Sequence, residues 1–166
     1  MIETAEEISG KASVKIMLGD NRGALTDCNR AIQINPDFAE AYYYRGLVKT
    51  ELGDKQGALS DYNQVIQINP NYPTVFNNRG LVKKGLGDKQ GALSDYSRAI
   101  QIAPEDAEAY FNRGTIKNEL GDKQGALSDY NRAAVLFEKQ GNKEMYLFVI
   151  KCRQNLEKGF WERLFS

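Results

Sequence analysis

The eleven residues Leu-Gly-Asp-Lys-Gln-Gly-Ala-Leu-Ser-Asp-Tyr occur three times without change, starting at Leu52, Leu86 and Leu120, each 34 residues after the last. A looser copy, Leu18-Gly19-Asp20-Asn21-Arg22-Gly23-Ala24-Leu25, sits 34 residues upstream of the first. Identity at a fixed spacing excludes chance. A period of about 20 to 50 residues means stacked supersecondary units that bury their apolar faces against their neighbours. The chain is therefore to be read one repeat at a time.

Four blocks follow from this register: residues 5–38, 39–72, 73–106 and 107–140. Each divides at Gly-Asp. In the second block Tyr42, Gly46 and Leu52 mark one face of a first helix, and Ala58, Tyr62, Val65 and Ile66 mark one face of a second, at the spacing of amphipathic helices. Gly53 is the C-terminal stop of helix A and Asp54 the N-cap of helix B. Helix B ends at Ile68-Asn69-Pro70, because proline drives the residue before it out of the helical region.

In a hairpin that turns between repeat positions 15 and 16, positions summing to about 31 lie level, so 4 meets 27, 8 meets 23 and 11 meets 20. Small residues at 8, 20 and 27 let the two axes approach, and aromatics at 4 and 24 fill the space beside them.

These positions resemble the tetratricopeptide repeat (TPR), which has an aromatic at 4, Gly at 8, Ala at 20, an aromatic at 24, a small residue at 27 and Pro at 32. Repeat two supplies Tyr42, Gly46, Ala58, Tyr62, Val65 and Pro70, and repeat three Phe76, Gly80, Ala92, Tyr96, Ala99 and Pro104. Repeat four supplies Tyr110, Gly114, Ala126, Tyr130 and Ala133, with Glu138 in place of the proline. Repeat one departs further, with Ile8, Ala12 and Cys28 at positions 4, 8 and 24. The resemblance implies an all-α fold, a right-handed α-α superhelical solenoid of helix-turn-helix repeats, forming one domain over residues 1–166.

Position 7, usually Leu in that family, is Arg45, Arg79 and Arg113, with Lys11 in repeat one. An Asp follows sixteen residues later each time, at Asp27, Asp61, Asp95 and Asp129. Positions 7 and 23 are nearly level, which predicts an ion pair inside each hairpin at the rim of the core. After Gly141-Asn142 a capping helix is expected from about Lys143 to Lys158, with Met145, Phe148, Val149, Cys152 and Leu156 on one stripe. Residues 159–166 carry three aromatics and a Leu. A segment that short is not a stable helix alone, so these side chains are expected to dock on the last repeats, with a second protomer as the alternative.

Composition narrows the function. The 22 basic and 22 acidic residues cancel, which argues against nucleic acid or anionic membrane as partner. Histidine is absent, which removes Ser-His-Asp triads, Cys-His pairs and His-ligated metal. Cys28 and Cys152 fall outside any zinc or disulfide spacing. No cofactor, metal or enzymatic activity is expected, and the location read from this is cytoplasmic.

Helix A has a second face, at positions 2, 5, 6, 9, 12 and 13, about 180° from its 4, 8 and 11 face. In proteins of this resemblance that face lines a concave groove. Here it holds Tyr43, Tyr44, Leu47, Asn77, Asn78, Leu81, Phe111 and Asn112, aromatic, apolar and amide groups without a core role at those positions. Asn78 and Asn112 resemble part of an asparagine ladder, broken by Tyr44 and Gly10.

The expected function is a non-catalytic scaffold holding a protein or peptide segment in this groove, with a structural or self-assembly role as the alternative. Glu40, Glu51, Glu108 and Glu119 rim the face against Lys84 alone, so the expected segment is uncharged or mildly basic. Glu108 stands where a carboxylate clamp for acidic chaperone tails needs Lys. Replacing Tyr43, Asn78, Phe111 and Asn112 by Ala is expected to abolish binding with little effect on melting. A monomer is expected, a homodimer through the C-terminal tail being the other possibility.

Overall fold

The computed structural model describes residues 3–164, and side chains through residue 158. The described residues form nine α-helices and no strand: α1 Ala5–Met17, α2 Asn21–Ile34, α3 Ala39–Glu51, α4 Lys55–Ile68, α5 Pro73–Gly85, α6 Lys89–Ile102, α7 Ala107–Glu119, α8 Lys123–Lys139 and α9 Lys143–Leu164. Every A helix occupies positions 1 to 13 of its repeat, as the register predicts.

The turns follow from their residues. Gly53 has φ +81°, a conformation that costs a residue with a Cβ but not glycine. The Asp54 N–H then reaches back to the Lys49 carbonyl at 2.8 Å. Asp54 Oδ1 in turn accepts from the Gly57 N–H at 2.9 Å, starting α4. The same pair of devices recurs at Gly19-Asp20, Gly87-Asp88 and Gly121-Asp122. Asn69, before Pro70, is extended at φ −134°, ψ 94°. Where Glu138 replaces the proline, α8 runs on for 17 residues instead of 14.

Residue contacts divide the chain into two compact units, Met1–Val82 and Lys83–Ser166, with the boundary inside α5. In the first unit α1 packs on α2 and α3 on α4, and α3 also packs on α2 and α1. Ala5, Ile8, Ala31 and Ala41 form a shared cluster there. In the second unit α6 packs on α7, α7 on α8 and α8 on α9. Tyr130, Ala133, Leu136, Phe137, Val149 and Leu156 make up most of its largest core.

Helix A is buried more broadly than the 4, 8 and 11 face. Ala41 and Val48, Val75 and Val82, and Ala109 and Ile116, at positions 3 and 10, are all buried, while Tyr42 and Tyr110 at position 4 are only partly covered. In the first unit the reason is visible: α3 packs on the preceding hairpin as well as on α4.

The ion pairs at positions 7 and 23 are present within the units. Arg45 grips Asp61 with two bonds, Nε to Oδ2 at 3.0 Å and Nη2 to Oδ1 at 2.6 Å. Arg113 grips Asp129 likewise, at 2.8 and 2.7 Å. These bonds raise the pKa of both guanidinium groups.

Each carboxylate also takes a lysine from position 11: Lys49 on Asp61 at 2.8 Å, Lys83 on Asp95 at 2.9 Å and Lys117 on Asp129 at 2.8 Å. Repeat one differs from expectation, because Lys11 pairs with Glu3 and Asp27 is held by Lys15 at 2.6 Å. Lysine is one donor point where arginine is a fork, and Lys11 has the Glu3 carboxylate beside it.

Arg45 also donates Nη1 to Asn29 of the preceding repeat at 2.7 Å, and Arg79 donates likewise to Asn63 at 2.6 Å. Arg153 of α9 bonds Asn131 at 3.0 Å. Asn at position 25 of repeats one, two and four is thus an acceptor for the element that follows, whereas repeat three has Ser97 there.

The capping helix is longer than predicted, running without a break through Gly159 to Leu164. Val149 and Leu156 are buried as expected, and Met145 and Cys152 pack on the same cluster, whereas Phe148 is half exposed. The docking expected of the side chains in 159–166 lies outside the described residues.

Tyr62 OH lies 3.3 Å from Thr50 Oγ1, at position 12, and Tyr130 OH donates to Thr115 Oγ1, at position 9, at 3.4 Å, but repeat three has Lys84 and Leu81 at those two positions. Tyr96 OH is buried without a hydrogen-bond partner among the described residues. Tyr96→Phe should leave the melting temperature unchanged or raise it, while Tyr62→Phe and Tyr130→Phe should each cost about 1 kcal/mol, as read by thermal denaturation.

Candidate functional site

In the first unit the A-helix face carries an aromatic group. Tyr43 packs against Tyr44 with ring centroids 5.5 Å apart, against Tyr62 at 6.5 Å and against Tyr72 at 5.3 Å. Its hydroxyl accepts from Asn78 Nδ2 at 3.2 Å. Burial raises the pKa of Tyr43 and pushes that of Tyr72 up to about 12. Leu47 is half-buried beside this group in sequence, and Leu81 is 44 % exposed.

Two expectations about these residues change. Tyr43 was expected to have no core role, yet it is half-buried and joins the ring of Tyr62 to that of Tyr72. Asn77, expected on the groove face, is buried at 5 % exposure. Position 5 lies about 40° around the helix from position 1, which is buried as Ala39 and Ala107, and so falls at the edge of the buried arc rather than in the open face. Tyr72 joins the cluster from the segment between α4 and α5. Its aromatic character in an otherwise polar Asn-Tyr-Pro link was the sequence signal for it.

In the second unit Phe111 packs on Tyr130 at 5.7 Å and edge-on against Phe148 at 5.6 Å. It too was expected to be free of packing duty and is not. Asn112 is half-buried. Glu119 takes Lys89 at 3.0 Å and Lys84 at 3.5 Å, bonds that hold its carboxyl below the usual range, the one to Lys89 first. The rim charge at this point is therefore already neutralised.

Burial pushes the Cys28 thiol up to about 12, which leaves it an inert core group. Among the described residues no group of three His, Cys, Asp or Glu side chains is placed to hold a metal ion, and no helix is long and apolar enough to cross a membrane. What the face offers is rings, an oriented amide and exposed leucine, which suit contact with another polypeptide.

Paired helices at a 34-residue period, closed by Gly-Asp turns and tied by repeated Arg-Asp-Lys clusters, define an all-α helical repeat protein. The chain belongs to the tetratricopeptide repeat family. A model described as "TPR repeat" matches residues 14–53 and 46–87, and one described as "Tetratricopeptide repeat" matches 77–143.

Its fold is that of solved TPR solenoids. The crystal structure of MamA is 23% identical with a TM-score of 0.77, over 83% of this chain and 81% of that one. YrrB, described as a TPR protein with an unusual peptide-binding site, is 20% identical with a TM-score of 0.71, over 93% and 87%. The first TPR of Spaghetti (RPAP3), bound to the HSP90 peptide SRMEEVD, is 20% identical with a TM-score of 0.67, over 74% and 92%. No curated protein sequence matches the chain.

Proposed function

We propose that the chain is a non-catalytic, cytoplasmic scaffold that binds a segment of a partner protein on its A-helix face and needs no cofactor. The observation that carries this reading is the face of the first unit, where exposed Leu81 and half-buried Tyr44 and Leu47 accompany an Asn78 amide held by Tyr43. With Nδ2 bound to tyrosine, Asn78 Oδ1 can accept from a peptide N–H while the apolar groups take its side chains. YrrB and the Spaghetti domain, whose descriptions name peptide binding, support the class of partner. The unbroken 34-residue register over residues 5–140, with α9 packed on α8, supports treating residues 1–166 as one domain.

The partner differs from an acidic tail. Glu40 and Glu51 lie on this face in the first unit and Glu108 in the second, so an uncharged or mildly basic segment with apolar anchors fits best. A randomised peptide library selected on the protein should yield such sequences. The double variant Leu47→Glu, Leu81→Glu should then weaken the selected peptide at least about tenfold, with stability changed by no more than about 0.5 kcal/mol. Unchanged affinity in that variant would move the binding surface elsewhere and favour the structural reading. Alanine at Tyr43 and Phe111 is the poorer test, because both rings are packed and their loss will also lower the melting temperature.

A further inference from the structure

Resting on the peptide-binding reading of the A-helix face, we propose that the first unit holds a subsite for one arginine side chain of the bound segment, formed by the rings of Tyr43, Tyr44 and Tyr72 and the carboxylate of Glu40. Glu40, Tyr43 and Tyr44 stand at i, i+3 and i+4 on α3, so they share one side of its first turns. Tyr72 joins them from the link before α5. Tyr43 lies in the middle, with ring centroids 5.5 Å from Tyr44 and 5.3 Å from Tyr72. Both outer rings are tilted against it, at 56° and 34°, so no flat stack seals the group. Each of the three rings is only partly covered.

Charge selects the kind of group that fits. Glu40 is exposed, and among the described residues no lysine or arginine pairs with it, whereas Glu119 holds two lysines. Burial is the main cause of the raised pKa of Tyr72, followed by Tyr43, Glu40 and Tyr44, so these groups close on one place. Tyrosine faces carry the negative side of the ring quadrupole, and beside a carboxylate they attract a cation.

The chain's own arginines show which cation suits such a group. Arg45 lies over the Tyr42 ring at 5.3 Å from its centroid, Arg79 over Phe76 at 5.6 Å and Arg113 over Tyr110 at 5.5 Å. Arg45 and Arg113 bond a carboxylate at the same time, that of Asp61 and of Asp129. A guanidinium stacks with its face and donates from its edge, which the point charge of lysine cannot do. Tyr43, Tyr44, Tyr72 and Glu40 offer the same two partners, ring face and carboxylate. Among the described residues no guanidinium of this chain stands over those three rings. Asn78, whose Nδ2 bonds the Tyr43 hydroxyl at 3.2 Å, puts the peptide bond that its Oδ1 accepts from within an arginine side chain's length of the rings.

Titration with Nα-acetyl-arginine methylamide from about 0.1 mM to about 100 mM at constant ionic strength, followed by NMR of the tyrosine rings, reads the subsite without any peptide. The signals of Tyr44 and Tyr72 should shift saturably, and the neutral citrulline counterpart should bind at least about fivefold more weakly. Glu40→Gln, at an exposed position, should weaken the arginine compound by about threefold to tenfold with melting unchanged, and Tyr72→Leu should weaken it at least as much. Equal binding of the two compounds, the absence of a saturable shift, or wild-type binding in Glu40→Gln overturns the subsite. The Leu47→Glu, Leu81→Glu variant should bind the arginine compound at least as well as wild type. A selected peptide that this variant loses, but that binds equally with citrulline in place of its arginine, keeps the peptide-binding face and removes the subsite. Saturable arginine binding with no peptide selected keeps the subsite and removes the face.

Discussion

Replacing Asp61 by Ala is expected to destabilise the protein by about 3–5 kcal/mol, because it leaves two cations facing a buried site with no anion between them. Asp61 is 1 % exposed. Its two oxygens take Arg45 Nε and Nη2 together with Lys49 Nζ, all within 3.0 Å. Arg45 would also lose the geometry that directs Nη1 to Asn29, so the damage should pass from the hairpin to its junction with the first repeat. Asp129→Ala should cost a similar amount, since Arg113 and Lys117 hold it in the same way. Asp27→Ala should cost less, about 1 kcal/mol, because its partner Lys15 has ready access to water. Urea denaturation of the three variants gives the ranking, and equal losses at Asp27 and Asp61 would show that the fork of Arg45 adds nothing.

Those clusters also mark where reading the sequence succeeds and where it stops. Arg45 with Asp61 and Arg113 with Asp129 were legible because level positions across a hairpin follow from the turn alone. Helix boundaries were legible for a similar reason, since Gly53, Asp54 and Pro70 act on the backbone within a residue or two of themselves. Lys49 was missed, although Lys15, Lys49, Lys83 and Lys117 recur at the same period. A lysine stem reaches past the level position, so rules that pair level residues overlook it.

The burial of Ala41 and Val48 was missed because it comes from stacking between hairpins, which a reading confined to one repeat cannot contain. Both residues are apolar and seven apart, a second stripe that was visible but had no assigned neighbour. The same omission governs the proposed binding face. Tyr43 and Phe111 looked free because their partners Tyr72 and Phe148 belong to a connecting segment and to the capping helix. Leu81 and Asn78 point to a partner more securely, since an exposed leucine and an amide held by a neighbouring hydroxyl gain nothing further from folding.

Gly46→Leu and Tyr62→Ala should each be strongly destabilising alone and less than additive together, because they act on one contact from opposite sides. A Cβ at Gly46 would lie 2.6 Å from Tyr62 Cε1 and 2.9 Å from Cδ1. The ring it meets is fully buried and lies with its hydroxyl against Thr50, so it has little room to retreat. Overpacking of this kind costs about 1–3 kcal/mol. Tyr62→Ala instead leaves a cavity, at about 3–5 kcal/mol. In the double variant the added side chain enters the space the ring vacates, and the coupling should offset about 1–2 kcal/mol of the summed loss. Gly114 offers an internal control, since a Cβ there would stand 3.0 Å from the nearest atoms of Tyr130. Gly114→Ala should therefore cost less than Gly46→Ala, with both measured by thermal denaturation. Strict additivity in the Gly46 and Tyr62 pair would mean that the close approach of α3 to α4 is set by something other than the seat that Gly46 provides for the tyrosine ring.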